Sequence, residues 1–140
     1  MSRQGHRTVP HTADLRIEAW AASREECVAE AVRGLAGSFA ELPPTGPRRT
    51  EERRLPPAAD PDLLVAALDE VVYLLDAAGE IPASVTIAPA PDGGLIMALS
   101  LAPAGDAELV GAVPKAVSWH ELRFSADAAG RWSASVTVDV

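Results

Sequence analysis

The chain has 140 residues, about one domain's worth. Hydrophobic residues make up 48% and charged residues 23%, an ordinary globular composition that excludes wholesale disorder. The net charge of −8, from 20 acids against 12 bases, disfavours a broad basic surface that binds phosphate backbones by displacing their counterions.

The aromatic fraction is only 4% and there are 27 alanines, so the core must be built mainly from Val, Leu, Ile and Ala. No apolar run approaches the length of a membrane span, and Met1 to Arg7 lacks the apolar stretch of a signal peptide. A cytoplasmic protein that does not enter a membrane is the expectation. A lone Cys27 excludes an internal disulfide framework and a multi-cysteine zinc site.

His11-Thr-Ala-Asp14 precedes the first predicted strand. It reads as an ordinary turn, or as a carboxylate presented at a strand end where ligands collect. Leu15–Trp20 alternates, with Leu15, Ile17 and Ala19 on one face, which predicts a half-buried strand. Ser23-Arg-Glu-Glu26 has the form of a capping box, and Val28, Ala31, Val32, Leu35, Phe39 and Leu42 follow at helical spacing. Proline lacks an N–H and disfavours a helical residue before it, so this helix should end before Pro43. Residues 43–57 are rich in Pro and charge and read as an exposed connection, with a short edge strand near Glu51–Leu55. Arg48, Arg49, Arg53 and Arg54 form the one basic cluster in the sequence, read as solvated in preference to a binding patch.

Asp60-Pro61 predicts a second helix start, with Asp60 as the cap. Leu64, Leu68, Val71 and Leu75 form its stripe, widened by Leu63, Ala67 and Leu74, and Gly79 is the expected stop. Glu70 falls at the margin of that buried arc, either a rim residue or a group held for a purpose. Strands are expected at Ser84–Ala88, Leu95–Leu101, Lys115–Phe124 and Trp132–Val140, with turns at Asp92-Gly-Gly94 and Asp127-Ala-Ala-Gly130. Two helices and about six strands predict an α+β two-layer sandwich, a mostly antiparallel sheet with both main helices packed on one face.

Asp139 falls on a strand face that otherwise carries Ser and Thr, next to the α-carboxylate of Val140. Adjacent oxygen anions suit a hard divalent cation such as Ca²⁺, Mg²⁺ or Mn²⁺, or simply a solvated strand end. His6, His11 and His120 have no zinc-like spacing. There is no nucleophile elbow, Walker loop or dinucleotide fingerprint, and Cys27 sits on a helix face as a core thiol. The residues do not suggest an independent enzyme.

Three separated stretches resemble the archease family. Val9-Pro-His-Thr-Ala-Asp-Leu-Arg-Ile-Glu-Ala-Trp20 is similar to its opening H-T-A-D and strand. Leu68-Asp-Glu-Val-Val-Tyr-Leu-Leu-Asp-Ala-Ala-Gly79 is similar to its L-N-E-L-x-Y-L-L-D helix. Val113-Pro-Lys-Ala-Val-Ser-Trp-His120, with the closing Val136-Thr-Val-Asp-Val140, is similar to its K-A-x-T-Y-H strand and terminal D-[IVL]. Asp69 and Trp119 stand where many members have Asn and Tyr, and Pro114 where a β-branched residue is common.

The resemblance covers nearly the whole chain and implies one archease-like domain over residues 1–140. It implies a non-catalytic activator of an RtcB-type RNA ligase, promoting guanylylation and repeated turnover in tRNA splicing or RNA repair. RNA would be met only indirectly through the ligase, and self-association as a homodimer stays open. Carried over residue by residue, the metal ligands would be Asp14, Asp139 and Val140, the last through main-chain oxygen. The ion would be Ca²⁺, or Mg²⁺/Mn²⁺. Lys115, Glu70 and His11 match further motif positions as candidates for partner function. The alternative is a metal-independent adaptor or chaperone for another RNA-processing enzyme, such as a tRNA methyltransferase.

Overall fold

Apolar alternation at period two and apolar recurrence at helical spacing must end up facing each other, and the topology brings this about. The computed structural model describes residues 3–10 and 14–140. Strands β1 (Gly5–Pro10) and β2 (Asp14–Ala21) lead into helix α1 (Arg24–Phe39). The short β3 (Ala40–Glu41) and β4 (Arg49–Leu55) precede helix α2 (Asp60–Tyr73), which runs on as a π-helical turn over Leu74–Ala78. Strands β5 (Glu80–Pro89), β6 (Leu95–Pro103), β7 (Glu108–Leu109), β8 (Ala116–Ala126) and β9 (Trp132–Asp139) complete the chain. All recorded strand pairings are antiparallel, in sheets of order β1-β2-β9-β8, β4-β6-β5 and β3-β7. The expected α+β arrangement with two main helices therefore holds, but with nine strands among the described residues instead of about six, divided over three sheets.

Helix α1 packs on β2 and β5 and so touches both larger sheets, whereas α2 packs mainly on β8 and also meets β4. This explains why α1 is buried well beyond one stripe, at Cys27, Val28, Ala29, Ala31, Val32, Leu35, Ala36 and Phe39. One core joins Ile17, Leu35, Leu64, Leu68, Leu99 and Val136 from all these layers. Ser23 caps α1 as expected, its Oγ accepting from the Glu26 N–H at 3.1 Å. Leu42, placed in the α1 stripe from spacing, lies beyond the helix end. Asp60 is not the cap of α2; Ala59 is, and Asp60 opens the first turn, where its carboxylate meets Arg24 at 3.0 Å and still complements the helix dipole. Gly79 ends the helical stretch in the left-handed region (φ 62°), as the sequence predicts.

Strand β5 is longer than its proline-bounded centre suggested. It is an edge strand, and a bulge between Pro82 and Ser84 absorbs the missing donor. The arginine cluster lies on and beside edge strand β4. Arg49 bridges Glu51 and Glu80 at 2.6 and 2.7 Å, and Arg53 pairs with Glu51.

Candidate functional site

The first sheet positions the predicted site. Strand β9 sits between β2 and β8, and the register aligns residues into rows across the face turned away from the helices. Asp14 stands directly opposite Asp139, Arg16 opposite Thr137, Glu18 opposite Ser135 and Trp20 opposite Ser133. On the other side Ala116 is opposite Asp139, and the Lys115 N–H donates to the Asp139 carbonyl at 2.8 Å. The last residues of β9 are thus held on both flanks. Val140 follows immediately, half-buried.

Opposed residues of an antiparallel pair have Cβ atoms roughly 4.5–5.5 Å apart. The Asp14 and Asp139 side chains have no hydrogen bond or salt bridge among the described residues. Two hard oxygen donors on one face, with the main-chain oxygen of Val140 beside them, fit the donor chemistry of Ca²⁺, Mg²⁺ or Mn²⁺. Among the described residues no group of three His, Cys, Asp or Glu side chains gathers as a complete metal cluster. His11 lies outside the described residues.

Two further candidates are placed differently. Lys115 enters the tip through its backbone, with an exposed side chain beside the Val72, Leu75 and Asp76 end of α2. Glu70 is engaged elsewhere, its carboxylate 3.7 Å from Arg53 on β4, and has no hydrogen bond or ion pair with Asp14, Lys115, Asp139 or Val140 among the described residues.

Sequence reading missed the irregularity of β8. Four residues, Trp119 to Leu122, oppose Val136 alone, and Glu121 takes a left-handed backbone conformation at φ 56°. The bulge leaves Trp119 56% exposed and aims Glu121 across the sheet at Arg16, 2.7 Å away. That hydrogen bond, with the charges of His120 and Arg16, holds the Glu121 carboxyl below the ordinary range. No turn residue in Trp119-His-Glu-Leu122 announces the bulge. Ser135 and Thr137, on the polar face of β9 that also carries Asp139, are both buried, at 5% and 8% exposure. They lie on a central strand, in rows shared with Arg16, Glu18 and Arg123.

Residues 6–140 match the Archease protein family (MTH1598/TM1083). Among curated proteins, the "Probable protein archease" of two Mycobacterium tuberculosis strains (CDC 1551 / Oshkosh and ATCC 25618 / H37Rv) is 50% identical over 136 residues, spanning 97% of this chain and 75% of the relative. Among solved structures, protein 1598 of Methanobacterium thermoautotrophicum superposes with a TM-score of 0.70 at 21% identity, over 97% of this chain and 99% of the other. An archease of Thermotoga maritima, described as a possible chaperone, superposes with a TM-score of 0.67 at 20% identity, over 94% of each chain. With a motif set, a fold and a family match that all extend over nearly its full length, the chain belongs to the archease family.

Proposed function

We propose that this protein activates an RtcB-type RNA ligase without catalysing a reaction itself, using the Asp14–Asp139 end of its first sheet as a divalent-cation tip. The observation that carries this reading is the cross-strand pairing of two carboxylates far apart in sequence, at the end of a sheet held in register from both sides. The side chains of Asp14 and Asp139 and the main-chain oxygen of Val140 would hold the ion. The Lys115 N–H fixes the backbone from which Asp139 projects. A divalent cation at such a tip supplies positive charge where a nucleotide triphosphate must be oriented for transfer. The chemistry of guanylylation stays with the ligase.

The test is guanylylation and multiple-turnover ligation by an RtcB-type ligase from the same organism, with native protein or the Asp139→Ala variant. Native protein raises both and the variant neither, with its fold retained because Asp139 is exposed at a strand end. Full stimulation by a folded Asp139→Ala protein would overturn the tip.

A second reading is a metal-independent adaptor or chaperone for another RNA-processing enzyme. The description of the Thermotoga maritima archease as a possible chaperone favours it. An adaptor of that kind tolerates Asp14→Ala with no loss of partner activity, whereas the tip does not.

A further inference from the structure

The face that carries Asp14 and Asp139 at one end carries a different chemistry at the other. A groove of about 460 Å³ opens there, in the size range of small-ligand sites. Ser135 lies in its lining, 5% exposed, and its Oγ is buried with no hydrogen-bond partner among the described residues. An orphaned hydroxyl in a folded protein calls for an explanation, since burying it unpaired costs free energy. Arg123 stands directly opposite Ser135 on β8, and Arg131 enters the same groove from the turn before β9. Neither guanidinium has an ion pair or hydrogen bond among the described residues.

The carboxylates around the groove are already engaged. Glu18 is paired with Arg7. Asp127 accepts from the backbone N–H groups of Ala129 and Arg131 at 2.9 and 3.0 Å. Glu121, on the same strand as Arg123, is held by Arg16. Two guanidinium groups without a hydrogen bond or ion pair among the described residues and one unpartnered buried hydroxyl therefore line one groove in a chain of net charge −8, with Arg123 lending only its charge to the Glu121 carboxylate. Forks of that geometry match an oxyanion with several oxygens, and a phosphate monoester offers three where a carboxylate offers two. Ser125 and Ser133 form the next row with Trp20, whose ring lies at the groove's end with the Arg7 guanidinium over it, 6.0 Å from the ring centroid.

We propose that this groove binds a mononucleotide, its phosphate on Ser135, Arg123 and Arg131 and its base toward Trp20. A free mononucleotide is favoured over an RNA strand by the limited volume of the groove. The carboxylate row four residues further along β9, roughly 13 Å away, would also repel a longer polyanion. The site needs neither a metal nor a ligase, so it stands or falls independently of the tip.

The experiment is titration of the intact protein with AMP and GMP, followed by NMR at the backbone amides and the arginine and tryptophan side chains. Saturable shifts at Ser135, Arg123, Arg131 and Trp20 are expected, with none from the unphosphorylated nucleosides. Arg123→Gln with Arg131→Gln should weaken binding by at least about tenfold, since each removes a charge-assisted hydrogen bond, and Ser135→Ala by several-fold. Arg48→Gln with Arg54→Gln, removing the same charge far from the groove, should leave binding unchanged. The proposal is overturned if no saturable shift appears, or if the remote pair weakens binding as much as the groove pair. It is also overturned if inorganic phosphate binds as tightly as the nucleotides, or if a 5′-phosphorylated oligoribonucleotide binds more tightly.

Discussion

Asp14 and Asp139, separated by almost the whole chain, face each other as a directly opposed pair at the end of β2 and β9. Like charges in that relation are destabilising, by about 0.2–1 kcal/mol at an exposed sheet end. In a metal-free buffer, Asp139→Asn should therefore leave the melting temperature unchanged or slightly raised. Saturating Ca²⁺ or Mn²⁺ should act oppositely on the native protein. A ligand at about a hundred times its Kd adds roughly 2.7 kcal/mol, which is about 5–10 °C for a domain of this size. The Asp139→Asn variant should lose that increment. A native protein whose melting is indifferent to every divalent cation would remove the metal from the proposed function while leaving the partner untouched.

Among the described residues Glu30 is the one buried acid, and three groups hold it. The Gln4 side-chain amide donates to it at 2.7 Å, His6 Nδ1 lies 2.8 Å away and Arg33 3.1 Å away. Burial would push its carboxyl up, but the hydrogen bonds from His6 and Gln4 and the Arg33 charge outweigh it, so it titrates below the ordinary glutamate range. A depressed folded-state value means the stabilisation is complete above the unfolded-state value near pH 4.3 and is lost as pH falls through the folded one. Glu30→Gln should cost about 1–3 kcal/mol at neutral pH, the scale for hydrogen bonds to a charged group. The cost should shrink below about pH 4. Denaturant melts of the two proteins across the acid range check this, and a penalty independent of pH would contradict it.

What the sequence made legible follows from which physical signals are local. The Ser23 cap and the Gly79 stop each sit within a few residues and were read correctly, whereas the alternation of β9 located the strand but not the burial of Ser135 and Thr137 on its polar face. Asp60 was misread by one position because Asp is favoured both as a cap and in the first turn. The split into three sheets depends on pairings such as β3 with β7, two residues each and 67 apart, which leave no periodicity to see. The site shows the same division. Asp14 and Asp139 could be named from the family motifs, and their pairing depended on β2 and β9 being neighbours. The groove around Ser135 draws on β1, β2, β8 and β9 at once and has no linear signature.

The β5–β6 hairpin turns through Ala90 to Gly94, closed by Ala90 N–H to Gly94 carbonyl at 2.9 Å and by Asp92 Oδ1 accepting from the Gly94 N–H at 3.0 Å. Asp92-Gly-Gly94 is a recognisable turn, but the reason for the second glycine is tertiary. A Cβ at Gly94 would lie 2.1 Å from the Leu55 carbonyl oxygen and 3.0 Å from the Pro56 backbone. The obstacle is main chain at the exit of β4, which cannot rotate aside. Gly94→Ala should therefore destabilise by about 1–3 kcal/mol, the cost of overpacking, despite alanine's modest size. Gly105→Ala, where a Cβ meets nothing within 4 Å, is the matched control and should change stability by under about 0.5 kcal/mol. Equal effects of the two substitutions in urea melts would show that the close approach at Leu55 does not constrain the fold.

Cys27 tests the packing of α1 from the opposite direction. It is fully buried, with Sγ 3.7 Å from the Ala19 carbonyl oxygen on β2. Burial first, and the Glu30 charge second, push its thiol up to about 12. At about pH 8, ionisation and access are both suppressed in the folded state, so iodoacetamide should label Cys27 only through opening of the core. Labelling should be complete in guanidinium chloride and slow in native buffer, with a rate that follows global stability. Glu30→Gln sharpens the distinction. It removes the neighbouring negative charge, which by itself favours the thiolate, and it also loosens the helix that shields Cys27. Both changes accelerate labelling, but only the second is reversed by a stabilising osmolyte. Native-state labelling as fast as that of the denatured chain would mean that α1 is not packed against β2 at Cys27.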